Sequence, residues 1–339
     1  MAARSSLGAR AADSMRPVTR YLVTGGAGFI GSHLTQALIA RGDTVRVLDD
    51  LSSGRRENLA GLDVGDPGSG AAVELLIGDV ADESLMPAAL EGVGGVFHEA
   101  AQVSVPQSVA LPVRSIDVNV MATMRLLEAA REAGIERFVL AGSSAAYGDS
   151  EELPKHEAMP TLPLSPYAVG KVAAEQLLTV YGRLHGMKTV TLRYFNVFGP
   201  RQVDDSPYTG VIAIFARALL ENRSAKIFGD GEQTRDFTFI DNVVQANLLA
   251  IDGDVEPGSV FNVGGGERIS VNQLYNCLAQ LAGSDVQPDY QPARLGDVKH
   301  SLASLDAIRE QLGYDPKVGW EEGLAPTFEW YRERLGAGV

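Results

Sequence analysis

Tyr167 and Lys171 stand four residues apart in SPYAVGK, residues 165–171. On a helix that spacing puts both side chains on one face. An ammonium beside a phenol stabilises the phenolate and lowers the tyrosine pKa. A group that ordinarily titrates at about 10 then becomes usable as a base nearer neutrality. Ser165 suits the N-cap of that helix and Pro166 its first position. Isolated Tyr-x-x-x-Lys pairs are common on exposed helices. This one follows a stretch rich in hydroxyls, LAGSSAAYG, and lies downstream of a second constellation.

That constellation is TGGAGFIGSHL, with Gly25, Gly28 and Gly31 between a strand-like and a helix-like run. The first glycine permits a tight turn, the second lets the backbone approach a pyrophosphate, and the third allows close helix–strand packing. The helix N-terminus favours the anion. Asp49 ends the next strand, where a carboxylate accepts from a ribose 2′-OH and repels a 2′-phosphate. The pattern therefore points to NAD rather than NADP. No G-x-x-x-x-G-K-[ST] is present, so a P-loop NTPase is not indicated.

The elements that must position these groups alternate. Strands are expected over 20–25, 44–50, 73–79, 94–100, 137–144 and 188–196. Helices are expected over 29–42, 115–133 and from Ser165 onward. Such alternation predicts an α/β fold, a Rossmann-like doubly wound parallel sheet with helices on both faces. After Phe198 the pattern loosens, which suggests a smaller, mostly C-terminal substrate-binding part. The expected division is a disordered extension over 1–17, a dinucleotide-binding domain over 18–195, and a substrate part over 196–236 and 265–339. FTFI (237–240) and SVFNVG (259–264) are expected to return to the main sheet. The glycine-rich stretch 61–70 reads as a loop.

Composition narrows the function. The chain has 339 residues and a net charge of −14, which argues against a nucleic-acid binder relying on broad electrostatic attraction. No run approaches the roughly 18 apolar residues of a membrane span. The single cysteine, Cys277, lies in a helical pattern and reads as a buried structural thiol. It forms no internal disulfide, which suits the reducing cytoplasm. The first 17 residues lack a long apolar stretch and do not read as a secretory signal; Met15 is an alternative start, and a transit peptide the weaker alternative. The five histidines form no metal pattern, and His33 and His98 read as structural. No metal is expected.

The motifs TGGAGFIG, LDDLSSG, GDV, HEAA, GSSAAYG, SPYAVGK, LRYFNVFGPRQ, GDGEQTRDF and ARLGDVKHS together resemble the extended short-chain dehydrogenase/reductases, and among them the nucleotide-sugar 4-epimerases. The resemblance runs from Tyr21 to about Arg334. It implies Ser143 as a catalytic hydroxyl with Ser144 beside it, Tyr167 as base, and Lys171 as the group that binds the nicotinamide ribose and tunes Tyr167. It implies cofactor contacts from Gly25, Gly28, Phe29, Ile30, Asp49, Asp50, Asp79, Val80, Ala100, Ala101 and Asn119. Asn196, Arg235 and Arg294 would grip the diphosphate, and Asp297 the uridine ribose. Ser104, Val211 and Ser301 would complete the substrate side. A homodimer is implied through the helices 115–133 and 168–185, with Met121, Met124 and Leu177 facing a partner or the sheet.

The implied reaction is reversible C4 epimerisation of a UDP-hexose through a 4-keto intermediate. A tyrosine four residues after the Asp of the GD step resembles enzymes restricted to glucose and galactose; small residues there resemble those that accept N-acetylhexosamines. Ser301 holds that place, and SVPQS (104–108) points the same way, so UDP-GlcNAc and UDP-GalNAc are the expected substrates. UDP-glucose/UDP-galactose and a UDP-uronic acid are alternatives. A 4,6-dehydratase or decarboxylase would carry an acid just after the catalytic hydroxyl, where this chain has Ser144 and Ala145. A non-enzymatic NAD sensor often lacks the Tyr/Lys pair that this chain keeps.

Overall fold

The computed structural model describes residues 18–202, 210–293 and 299–336. The extension 1–17 lies outside them, as do Arg294 and Asp297. The first half runs β1 (Arg20–Thr24), α1 (Phe29–Ala40), β2 (Thr44–Asp49), β3 (Val64–Gly65), β4 (Val73–Ile77), α2 (Met86–Leu90) and β5 (Gly95–His98). It continues with α3 (Val105–Ala110), α4 (Pro112–Ile116), α5 (Ala122–Glu132), β6 (Arg137–Ser143), α6 (Pro166–His185) and β7 (Lys188–Tyr194). The second half holds β8 (Val197–Phe198), α7 (Val211–Leu220), β9 (Lys226–Phe228), β10 (Thr234–Arg235), β11 (Thr238–Phe239), α8 (Ile240–Asp252) and β12 (Ser259–Val263). Last come β13 (Ile269–Ser270), α9 (Val271–Ala282), β14 (Asp289–Gln291), α10 (Asp306–Leu312) and α11 (Trp320–Gly336).

One eight-stranded sheet has the order β12-β7-β6-β5-β1-β2-β4-β3, with every neighbouring pair parallel. The chain winds outward from β1 through β2 to β4, then crosses to β5 on the other side of β1. The crevice at the carboxyl ends of β1 and β5 is the switch point, where open α/β sheets bind ligands. Alternating strand residues feed two cores. Val23, Val47, Leu75, Phe97 and Val139 pack in one buried cluster with Leu34 of α1 and Val243 of α8. Leu22, Leu48, Val96, Phe138 and Leu140 pack in the other with Leu126 of α5 and Leu178 of α6. This is the doubly wound α/β architecture that the alternation predicts.

Two expectations need correction. SVFNVG does join the sheet, as β12 beside β7, but FTFI does not. Thr238 and Phe239 pair instead with Val197 and Phe198, which have already left β7, and α8 begins immediately at Ile240. Too few extended residues remain there to reach the main ladder. Within 61–70, Val64 and Gly65 extend the sheet beside β4. The helix expected over 115–133 is helical from Pro112 to Glu132, and the one feature not foreseen is a π turn at Asp117–Met121 between α4 and α5.

Candidate active site

The chain turns out of β1 at Gly25, whose φ of +68° suits glycine. A Cβ there would lie 2.9 Å from the Ala100 backbone nitrogen, so the loop after β1 and the end of β5 are in close contact. A Cβ on Gly31 would lie 2.2 Å from the Gly25 carbonyl oxygen, so only glycine lets α1 start against the turn. Gly28 is the N-cap of α1 and gives it no capping side chain, and the first turn carries no acid. Such a helix start, with orphan N–H groups and a positive dipole end, fits a pyrophosphate. Phe29 and Ile30 open the helix, half-buried.

Asp49 does more here than its sequence position suggests. It is buried, and its carboxylate accepts from the Ala27 N–H (2.9 Å) and the Leu51 N–H (2.9 Å). It therefore clamps the glycine loop to the end of β2. Burial raises its pKa, against the lowering effect of these backbone donors. A carboxylate has about four lone-pair sites, so one remains for a ribose hydroxyl beside these backbone donors. Asp50 is exposed beside it, and its carboxylate accepts from the Ser52 N–H at 2.9 Å. Asp79 accepts from the Ala81 N–H at 2.9 Å and from the Arg114 guanidinium, while Val80 is buried.

Past β5, Ala100 and Ala101 are half-buried at the crevice. The Ala100 N–H donates to Thr24 Oγ1 at 3.2 Å. Asn119 sits in the π turn, and its amide is engaged with the Gln102 backbone. It accepts the Gln102 N–H (2.9 Å) and donates to the Gln102 carbonyl (3.0 Å). Asn119 thus fixes the loop that follows Ala101. A Cβ on Gly170 would meet the Asn119 Cβ at 3.1 Å, which seats α6 against the π turn. His98 is structural in its surroundings. Its two ring nitrogens meet the hydroxyls of Thr24 (2.7 Å) and Thr123 (2.9 Å), and burial drops its pKa to about 3. His33 contacts the Pro200 carbonyl at 3.0 Å, with its pKa pulled to about 4 by burial.

Ser165 Oγ accepts the Ala168 N–H at 3.2 Å and Pro166 opens α6, as the sequence indicates. The helix carries Tyr167 to the end of β6, close enough to Ser143 for its hydroxyl to oppose the rise in the phenol's pKa. Ser143 Oγ also accepts from the Ala145 N–H at 3.2 Å, capping the short turn that Ser144 begins. Lys171 is buried one turn beyond Tyr167, and its Nζ donates to the Ala141 carbonyl at 2.8 Å. The direction of the Tyr167 shift differs from expectation. Burial raises its pKa, and the opposing influence is the Ser143 hydroxyl, not Lys171. Burial also pushes Lys171 down, opposed by a carboxylate that the sequence reading passed over, Glu99. Glu99 accepts from the Tyr194 O–H at 2.9 Å, and burial raises its pKa. The signal available in the sequence was an acid at the end of a buried strand, in VFHEA.

On the substrate side, Asn196 follows β7 and its Nδ2 donates to the Asp236 carbonyl at 3.1 Å. Arg235 lies in β10, with Nη1 donating to the Thr234 carbonyl at 2.9 Å. Its neighbour Asp236 is fully buried and accepts from the N–H groups of Gly265 (2.7 Å) and Ala303 (3.0 Å), so Arg235–Asp236 is not a surface pair. Ser301 runs beside β10, its N–H donating to the Thr234 carbonyl at 3.1 Å. Ser104 caps α3, accepting from the Gln107 N–H at 3.2 Å, and Val211 is the half-buried first residue of α7.

Residues 21–264 match the NAD dependent epimerase/dehydratase family. The chain belongs to this family. Its cofactor is NAD, and the uncapped start of α1, the close glycine turn and the Asp49 carboxylate fit that dinucleotide. A UDP-glucose 4-epimerase of Mycolicibacterium smegmatis is 44% identical over 317 residues, covering 93% of this chain and 99% of that protein. Among solved structures, the UDP-glucose 4-epimerase of Thermotoga maritima with UDP-glucose is 39% identical with a TM-score of 0.86, covering 93% of this chain and 99% of that one. A UDP-N-acetylglucosamine 4-epimerase from Methanobrevibacter ruminantium, in complex with UDP-N-acetylmuramic acid, is 37% identical with a TM-score of 0.87, covering 94% and 100%.

In this member of the family, Ser143, Tyr167, Lys171 and Glu99 gather at the carboxyl ends of β5 and β6 and the start of α6. Asn196, Arg235 and Ser301 lie with the elements that follow β7. Among the described residues no group of three His, Cys, Asp or Glu side chains is placed to hold a metal ion. No helix among them is long and apolar enough to cross a membrane.

Proposed function

We propose that this protein, an NAD-dependent UDP-sugar 4-epimerase, interconverts UDP-GlcNAc and UDP-GalNAc at C4. The observation that carries the chemistry is the Tyr167 phenol against the Ser143 hydroxyl, with Lys171 one helical turn away. Tyr167 takes the proton of the sugar 4-OH, and Ser143 hydrogen-bonds the same oxygen. NAD, held by the glycine loop and Asp49, would supply the acceptor for the C4 hydride and the donor that restores it to the 4-keto sugar. Tyr167 gives the proton back, so the net change is the configuration at C4. The Ser143 hydroxyl opposes the burial that raises the phenol, and Lys171, one turn along α6, binds the nicotinamide ribose. Asn196, Arg235, Arg294 and Asp297 hold the nucleotide firmly while the hexose is gripped loosely enough to reorient; Ser104 and Val211 line its approach. Phe29, Ile30, Asp50, Asp79 and Val80 complete the cofactor contacts. Residues 18–195 with β12 form the cofactor-binding unit, and the remainder forms the substrate part. The protein acts in the cytoplasm as a homodimer.

The N-acetylhexosamine preference is supported by Ser301, a small hydroxyl-bearing residue beside Thr234–Arg235. A second reading, UDP-glucose and UDP-galactose, is favoured by the name of the Mycolicibacterium relative. Incubating the holoenzyme with each UDP-sugar and resolving the epimers separates the two. The N-acetylated pair is expected to have the higher kcat/KM. A preference for UDP-galactose of about tenfold, or ~1.4 kcal/mol of transition-state discrimination, would reject the assignment. Ser301→Tyr is expected to suppress the N-acetylated substrates and spare UDP-galactose.

A further inference from the structure

Glu99 follows His98, the last residue of β5, which pairs with Leu140 of β6. One step further along the same register is Ala141, whose carbonyl accepts the Lys171 ammonium at 2.8 Å. From the next strand, Tyr194 of β7 donates its O–H to Glu99 Oε1 at 2.9 Å. Asn247 of α8 donates its Nδ2–H to that Tyr194 oxygen at 2.8 Å. The carboxylate is thus anchored by residues from two elements that carry none of the catalytic groups.

The geometry points to Glu99 as a positioning residue: its anchored carboxylate keeps the Lys171 ammonium charged inside the site, one helical turn from Tyr167. The inference rests on the epimerase reading above. Burial works against the charge on both groups; at Glu99 the Tyr194 hydrogen bond opposes it first and the Lys171 charge second, and at Lys171 the Glu99 charge opposes it. The surrounding groups leave this work to Glu99. His98 is neutral and held by Thr24 and Thr123. Tyr194 is kept protonated by burial and by Glu99 itself. Asn247 carries no charge, and Arg193 of β7 is closed on Glu175 of α6. On the other side stand Tyr167 and Ser143, both hydroxyls. A neutral residue at position 99 would leave Lys171 facing burial without a counter-charge. It would then lose its proton within the working pH range.

The test is a pH titration of the holoenzyme labelled with 13C at the lysine ε-carbon. The Lys171 resonance is identified by its loss in Lys171→Met. In Glu99→Gln it is expected to titrate lower than in wild type by about one to three pH units. The alkaline limb of the kcat–pH profile is expected to move down with it. Glu99→Asp, which keeps the charge, is expected to restore most of the wild-type titration. A folded Glu99→Gln whose Lys171 titrates as in wild type overturns the inference. If Glu99→Gln does not fold, Tyr194→Phe, which removes the anchoring O–H, is expected to shift the same resonance downward by a smaller amount; no shift there overturns the inference instead. The resonance needs no turnover, so a failed epimerase assignment leaves this readout intact, whereas an active enzyme with an unshifted Lys171 rejects Glu99 alone.

Discussion

At the scale of single residues, the site works by setting burial against charge. Tyr167 must lose a proton in a place that favours the phenol, so removing its hydroxyl should be costly while the ring still packs. Tyr167→Phe is expected to retain NAD and lose about 10²–10⁴-fold in kcat. Steady-state kinetics together with cofactor release by denaturant check both halves, and activity within a few-fold of wild type would end the role given to this tyrosine. His98 gives a pH dependence of the opposite origin. Burial, and then the nearby Lys171 charge, lower its folded-state pKa from 6.5 to about 3. The unfolded chain therefore takes up a proton that the folded protein refuses. Its contribution to stability is fully present above about 6.5 and is lost as pH falls towards 3. Denaturation midpoints measured from pH 8 down to pH 5 are expected to fall below about pH 6.5. The decline should be shallower in a folded His98→Asn variant.

At the scale of elements, α6 has to hold Tyr167 and Lys171 in register with the end of β6. Part of that hold is a buried ion pair one turn past Lys171. Arg193 of β7 donates from Nε (2.8 Å) and Nη2 (2.7 Å) to the two Glu175 oxygens, and its guanidinium lies 4.8 Å from the Tyr147 ring centroid. Breaking one side strands a buried charge, whereas replacing both can be nearly neutral. Glu175→Ala is expected to cost about 3–5 kcal/mol in chemical denaturation. Glu175→Leu with Arg193→Met should recover most of that loss. A single variant as stable as wild type would mean that packing alone seats α6.

At the scale of the whole molecule, exposed apolar side chains recur on α4, the π turn, α5 and α6. Val113 (82% exposed) on α4 and Leu184 (72% exposed) on α6 stand out, with Met121, Met124, Val169 and Val180 also exposed. Leu177, by contrast, packs towards the buried cluster beneath the sheet. Where such side chains lie side by side they suit association with a second copy. Sedimentation at micromolar concentration is expected to give a dimer, and Met124→Glu combined with Leu184→Glu a monomer. A monomeric wild type would remove the dimer from the account.

The sequence determined what is local. The strand–glycine loop–helix unit, the Ser165 cap and the spacing of Tyr167 and Lys171 all depend on neighbours within a turn or two, and the alternation of elements sufficed for the doubly wound parallel sheet. Only the tertiary structure decided what stands beside what. The short ladder at Thr238–Phe239 depends on where β7 ends, which FTFI itself does not encode. The Asp49 clamp on the glycine loop requires β2 to lie next to β1. The charge environment of Lys171 draws on β5, β6, β7 and α8, segments spread from residue 95 to residue 252 of the chain. Sheet order and register bring their ends to one edge. Burial there reverses the direction expected for Tyr167, because desolvation acts on the folded surroundings of a group and not on its place in the sequence.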